Sequence, residues 1–389
     1  MDGEIQVKKN RSLLIPGIMI LVCMMILVFN QLYLQRLFMR AIESFLNVST
    51  DSHLIAASEM FFYKMHLSFY ICMGIITVLL ILVLLTFRRI MIDAGHDILN
   101  QQSLTNEKSK QNLLLEETNK DMMDSLKYAT LIQASLLPDQ EIINEFLPHN
   151  FIIWHPRDIV SGDIFYFYPI VKNLTAQEDG LLTVEDGMIV AVVDCTGHGV
   201  PGAFMTMIAS SGIRRIIRDE GCVDPAEILS RLNLVVKKTL YHDSQQSNSD
   251  DGMDVGICFI KPQDDQLIFA GAKIPLLFIN NNTVHHIKGD RCSIGYRKSD
   301  SHFEFTNHTI QLEKNMLFYM YTDGIVDQTG GEKGFPFGTR KLKEMLLKYA
   351  DLPMNEQKKM ILSHFDEYKG KRSRLDDMTM FAFKIKNIR

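Results

Sequence analysis

The 389-residue sequence lacks several features that would classify it at once. It has no G-x-x-x-x-G-K run, which excludes a Walker-type nucleotide loop. None of its six cysteines forms a C-x-x-C pair, so neither a zinc pattern nor a disulfide framework is present. A net charge of −5 offers no basic excess for nucleic acid. There is no internal repeat and no low-complexity tract. Glycine and proline nearly vanish between Ile90 and Leu136, where Gly95 stands alone and the next proline is Pro138. Charge is missing from two long stretches. Ser12 to Gln35 lies between Arg11 and Arg36, and Met65 to Phe87 lies between Lys64 and the pair Arg88-Arg89.

Each uncharged stretch exceeds the ~18 residues a membrane-spanning helix needs, and buried core helices are rarely so long and charge-free. Two spans are therefore expected, over about 13–35 and 65–87, in an anchor covering 1–89. A signal peptide would be shorter and would not be followed by a second span. Lys8, Lys9, Arg11, Arg88 and Arg89 outnumber Arg36, Arg40 and Lys64, which favours both ends being cytoplasmic. Residues 90–138 read as a helical linker. Leu115, Met122, Ala129 and Leu136 recur every seven residues, with Leu126 and Ile132 widening the stripe. That spacing suits a parallel coiled coil in a homodimer, or a helix packed on its own catalytic domain.

From 147 to 389 the texture changes to short β-type runs separated by turn signals. Strands are expected over 151–154, 163–168, 188–193, 253–260, 266–270, 276–279, 315–321 and 379–385. Helices are expected over 203–219, 225–240, 340–349 and 355–368. Strands arrive in consecutive groups, which favours an α+β arrangement of antiparallel sheets over a parallel doubly wound fold.

The stretch Asp194-Cys195-Thr196-Gly197-His198-Gly199-Val200-Pro201-Gly202-Ala203 admits three chemistries. A nucleophilic Cys195 would want an arginine six residues on, but Pro201 stands there, and Asp194 beside it should disfavour the thiolate. Gly197, Gly199 and Gly202 fit G-x-G-x-x-G, yet the acid about 20 residues on, Asp219-Glu220, ends a helix rather than a second strand. The third chemistry is a metal site, which demands further carboxylates at strand ends. Asp163, Asp323 and Asp376 supply them, and hard divalent cations take such oxygen ligands.

Six motifs in this order carry a resemblance: LIQASLLPD (131–139), HPRDIVSGD (155–163), VVDCTGHGVPGAFM (192–205), FAGAKIPLLF (269–278), YTDGIVDQ (321–328) and LDDMTMFAF (375–383). Together they resemble the metal-dependent serine/threonine phosphatases of type 2C, in particular the bacterial SpoIIE branch. The resemblance implies a four-layer αββα sandwich with a pair of Mn²⁺ or Mg²⁺ ions at one end of the sheets. It makes Asp194 the bridging ligand and Cys195 a backbone-carbonyl donor. Asp163, Asp323 and Asp376 become the remaining metal carboxylates, and Arg157 lies near the place of a phosphate contact. His198 reads as a loop residue rather than a general acid, because the sequence shows no partner to orient it.

Departures from the family pattern are Ser161 before Gly162-Asp163, Tyr166 where a second Asp often stands, and Ala272 in place of a His. Asp254 could bind a third metal, but a solvated acidic loop is the preferred reading. DCTGHGVPGAFM and DQTGGEKG (327–334) look like the subgroup containing the membrane-bound phosphatase of the Sia aggregation and biofilm pathway. The implied substrate is a small phosphothreonine regulatory protein opposed by a partner kinase, or a phosphoserine on a STAS-type anti-sigma antagonist. The competing expectation is a catalytically weak pseudophosphatase that holds a partner at the bacterial inner membrane.

Overall fold

The structure is a computed structural model that describes residues 22, 25, 26, 28–44, 52–170, 187–240 and 249–385. It divides into two compact units, Met1–Asn112 and Leu113–Arg389.

In the first unit, residues 28–44 are helical and α1 (Ser52–Ala134) begins. Of the first expected span, residues 13–21, 23, 24 and 27 lie outside the described residues. The second falls within α1, which has a stretch of mean hydropathy 2.8 and none of it buried. This one helix is long and apolar enough to cross a membrane. Phe38 packs against Phe61, and an apolar groove runs between Met25–Leu32 and Met73–Leu80.

In the second unit the strands are β1 (Asn150–His155), β2 (Asp163–Ile170), β3 (Gly187–Cys195), β4 (Met253–Lys261), β5 (Gln266–Ala272), β6 (Leu276–Asn280), β7 (Thr283–Ile287), β8 (His308–Gln311), β9 (Leu317–Tyr321), β10 (Thr329–Gly330), β11 (Phe335–Pro336) and β12 (Met378–Lys384). The helices after α1 are α2 (Gln140–Phe146), α3 (Gly199–Arg214), α4 (Pro225–Thr239), α5 (Asp323–Val326), α6 (Gly338–Tyr349) and α7 (Met354–Lys369). Two five-stranded antiparallel sheets form, in the orders β1-β12-β9-β6-β7 and β2-β3-β4-β5-β8.

Side-chain alternation along β3 explains the layers. Ile189, Ala191 and Val193 face α3 and α4, while Val190 and Val192 face the other sheet with Phe318 and Phe381. A third core, with Tyr319, Met380 and Leu346, fills the space between the other sheet and α6 and α7. Three apolar layers between four structural layers make an αββα sandwich. Fully burying each such side chain stabilises the fold by about 1.5–3 kcal/mol.

β7 and β8 lie outside the strands expected from sequence; both are edge strands with polar residues such as Thr283, His285 and His308. The helix expected from 203 begins at Gly199 and finishes in one π turn, Arg215–Asp219. The C-terminal end of α1 meets the sandwich through Gln133. Its side chain is buried, donates to the Ser161 carbonyl at 2.7 Å and to Thr206 Oγ1 at 3.0 Å, and accepts from the Ser161 amide at 2.9 Å. Thr130 adds a bond to the Ile159 carbonyl at 3.1 Å. Both grip the loop that leads into β2.

Candidate active site

The register of one sheet assembles the acids. Asp163 on β2 stands opposite Asp194 on β3, and Asp194 stands opposite Asp254 on β4. Directly opposed residues of antiparallel strands project from the same face. By the same alternation that sends Val190 and Val192 inward, all three carboxylates point into the end of the inter-sheet layer. The other sheet brings Asp323, the first residue of α5 after β9, and Asp376, just before β12. Like charges opposed across strands destabilise a sheet, so three in a row need a compensating role.

Electrostatics ties the five together. Burial holds the Asp194 carboxyl well above the usual range, and the charges of Asp163, Asp323, Asp254 and Asp376 add to it. Burial raises Asp163 likewise, against a hydrogen bond from Thr322 Oγ1 at 2.8 Å. Asp323 is raised by burial and then by Asp376. Asp254 is raised by burial, against the nearby Ser293 and Lys273, and one of its oxygens is buried with no hydrogen-bond partner. Among the described residues no three ligating side chains already gather around one point. The donors nevertheless fit a hard divalent cation: they are all oxygen, mutually repelling, and one is orphaned.

Adjacent Asp376 and Asp377 have different tasks. Asp377 is buried, and its two oxygens accept from the amides of Arg157 and Gly162, each at 2.6 Å. Asp376 is exposed, accepts among the described residues only from the Asp377 amide at 2.9 Å, and lies near enough to Asp194 to raise its carboxyl.

Cys195 faces the helix side, away from the acids. Burial, then Asp194, raises its thiol well above the ordinary range, so it is not a nucleophile. Its amide donates to the Gly162 carbonyl at 3.0 Å. The chain turns here through Gly197 and Gly199, at φ 82° and 65°. Gly202 lets α3 approach closely: a Cβ there would sit 2.4 Å from the Gly197 carbonyl oxygen and 2.7 Å from Gly162 Cα.

Two readings of the sequence need correction. His198 does have a partner, Asp158, at 2.5 Å from Nδ1 across the α3 N-terminus. Asp254 is not in a solvated loop but in β4, inside the strand expected over 253–260; its pairing with Asp194 is what the register adds. Arg157 stays exposed, and its guanidinium donates to the Leu375 carbonyl at 2.8 Å. It does not line the cleft of about 360 Å³ that holds Asp194, Asp254 and Asp323. The sequence also gave no sign of Thr322, which ties Asp163 to the other sheet, or of Lys273, Lys288 and Arg291 in the same cleft.

Residues 185–386 match the family model for Stage II sporulation protein E (SpoIIE). The SiaA-PP2C domain of Pseudomonas aeruginosa is 36% identical, with a TM-score of 0.59, over 69% of this chain and 98% of that one. This chain belongs to the SpoIIE family of PP2C-type serine/threonine phosphatases. The phosphatase domain and regulatory-domain fragment of SpoIIE from Bacillus subtilis matches at 16% identity, over 61% of this chain and 62% of that one, with a TM-score of 0.47. RsbX in complex with magnesium matches at 16%, over 60% and 92%, with a TM-score of 0.40. No curated protein matches in sequence. The chain thus has the fold of the SpoIIE phosphatase family.

Proposed function

We propose that the chain is a membrane-anchored, metal-dependent phosphatase acting on phosphoserine or phosphothreonine of a small regulatory protein. Asp163, Asp194, Asp323 and Asp376, with the Cys195 carbonyl, would hold two Mn²⁺ or Mg²⁺ ions, and Asp254 is available beside them. The observation that carries this reading is the row Asp163–Asp194–Asp254 facing Asp323 at the end of the sandwich. A divalent cation bound there lowers the pKa of water and offsets charge on phosphoryl oxygens. The chain's own residues fix geometry: Thr322 orients Asp163, and Asp377 clamps the loop before β2. The inert thiol of Cys195 fits direct attack by water, with no covalent intermediate on the protein.

By the resemblance of DCTGHGVPGAFM and DQTGGEKG to the Sia subgroup, the substrate would be a threonine-phosphorylated regulator opposed by a kinase, with a STAS-type substrate as the alternative. Residues 1–89 would anchor the chain in the bacterial inner membrane with two spans, and 147–389 would lie in the cytoplasm. The linker, 90–138, would pair in a homodimer through the exposed part of its seven-residue stripe, Leu115 and Met122, while Leu136 of the same stripe packs on the catalytic domain. The Gln133 bonds to Ser161 connect that linker to the loop carrying Asp163.

The test is Mn²⁺-dependent phosphate release from a phosphothreonine peptide by the full chain. Asp194→Asn should lower kcat about 10²–10³-fold, on the scale of losing a principal electrostatic group, with the fold intact by circular dichroism. Near-normal turnover in that variant would overturn the reading, and no release by the wild type would favour a scaffold.

A further inference from the structure

The cleft that carries the acids has an oppositely charged side. Lys273, Lys288 and Arg291 line it together with Asp194, Asp254 and Asp323. All three cations are exposed, and among the described residues none is in an ion pair. Lys273 is near enough to Asp254 to favour its ionised form, yet makes no ion pair with it.

Three features separate this group from ordinary surface cations. First, the two turns that bear them are locked together. The Lys273 amide donates to the Asp290 carbonyl at 2.9 Å, and the Asp290 amide donates to the Gly271 carbonyl at 2.7 Å. Second, the acid between Lys288 and Arg291 is engaged elsewhere: the Asp290 carboxylate accepts from the Thr306 amide at 2.7 Å and from Thr306 Oγ1 at 3.3 Å. Third, Lys273 sits at φ 61°, a left-handed conformation that a long side chain rarely adopts and that its surroundings must enforce.

A phosphorylated segment with its phosphoryl group at the acidic, cation-holding end would run its flanking residues past these positive charges. We propose that Lys273, Lys288 and Arg291 form a subsite for carboxylate side chains flanking the phosphorylated residue of the substrate protein. This rests on the phosphatase reading above. The charges select by complementarity: an acidic segment is favoured and a basic one repelled. His286, beside them, is lowered by burial first and then by Lys343 and Lys288, so it stays neutral and adds no competing charge.

The experiment uses the full chain in detergent with Mn²⁺. Two phosphothreonine peptides differ only in carrying Asp or Asn at three flanking positions. The readout is the ratio of kcat/KM, acidic peptide over neutral. For the wild type, three partly solvated charge pairs predict a ratio on the order of ten, falling with added salt. In Lys273→Asn/Lys288→Gln/Arg291→Gln the ratio should approach one; Asn is chosen because it tolerates the left-handed backbone. In Lys288→Glu/Arg291→Glu the preference should reverse.

A wild-type ratio near one overturns the subsite. So does a triple variant that keeps the wild-type ratio, including one that loses both peptides equally, since the cations would then read the phosphoryl group or support the fold. Release without preference contradicts only this inference. No release from either peptide contradicts the phosphatase reading on which it rests.

Discussion

The two sheets of the sandwich deliver their acids by different means. One places Asp163, Asp194 and Asp254 within or at the end of hydrogen-bonded strands, in consecutive register. The other brings Asp323 and Asp376 from the segments next to β9 and β12. A strand fixes its carboxylate by register, since a one-residue slip would turn it to the other face. A segment beyond a strand needs separate anchors. Asp377 supplies one, with two backbone amides at 2.6 Å, and Thr322 supplies another by bonding Asp163 across the sheets. The contrast teaches that mutating an acid and mutating its anchor should produce different deficits.

The largest separation is expected at the adjacent pair. Asp377→Asn removes the charge and leaves one of the two backbone amides, Arg157 or the buried Gly162, facing an NH2 group, and should destabilise the fold by about 1–3 kcal/mol, read as a lower Tm. Asp376→Asn should leave Tm nearly unchanged and weaken Mn²⁺-dependent turnover. Equal loss of Tm in both would erase the distinction between ligand and anchor.

A smaller effect is expected at the bridge between sheets. Thr322 Oγ1 donates to Asp163 and accepts from the Thr379 amide at 3.0 Å. Thr322→Val keeps the volume and removes both bonds. The Mn²⁺ concentration for half-maximal activity should rise about tenfold, the scale of losing a group that orients a ligand. An unchanged Mn²⁺ requirement would show that Asp163 needs no such support.

Much of this frame was legible in the sequence. Alternation and turn residues located eight strands, and the spacing of Asp163, Asp194, Asp323 and Asp376 suggested one site. What was hidden depended on pairing at long range. Asp254 sits in a run of acids, Asp250-Asp251-Gly252-Met253-Asp254, that looks solvated until β4 is laid beside β3. Asp158 and His198 are forty positions apart and meet only because the 156–162 loop crosses the start of α3. Gln133 reads as one more polar residue on a helix, yet it is buried against Ser161. β7 and β8 are short edge strands that put only Val284, Ile287 and Ile310 into the cores, too few for a visible alternation.

The acidic cluster also sets a pH dependence. Burial, above all, pushes the Asp163 carboxyl from its ordinary 3.8 up to about 8. A raised carboxyl favours the protonated folded state. Its contribution to metal-free stability is present below about 3.8 and is lost as pH rises through about 8. Cation ligands must be ionised, so divalent-ion binding strengthens over the same interval.

The most direct test of the central claim is therefore calorimetric titration of the full chain with Mn²⁺, at about pH 8 and about pH 5. The account predicts close to two ions bound per chain at the higher pH, far weaker binding at the lower, and loss of binding in Asp194→Asn. Absence of binding by the wild type at the higher pH, or equal binding by Asp194→Asn, would contradict it.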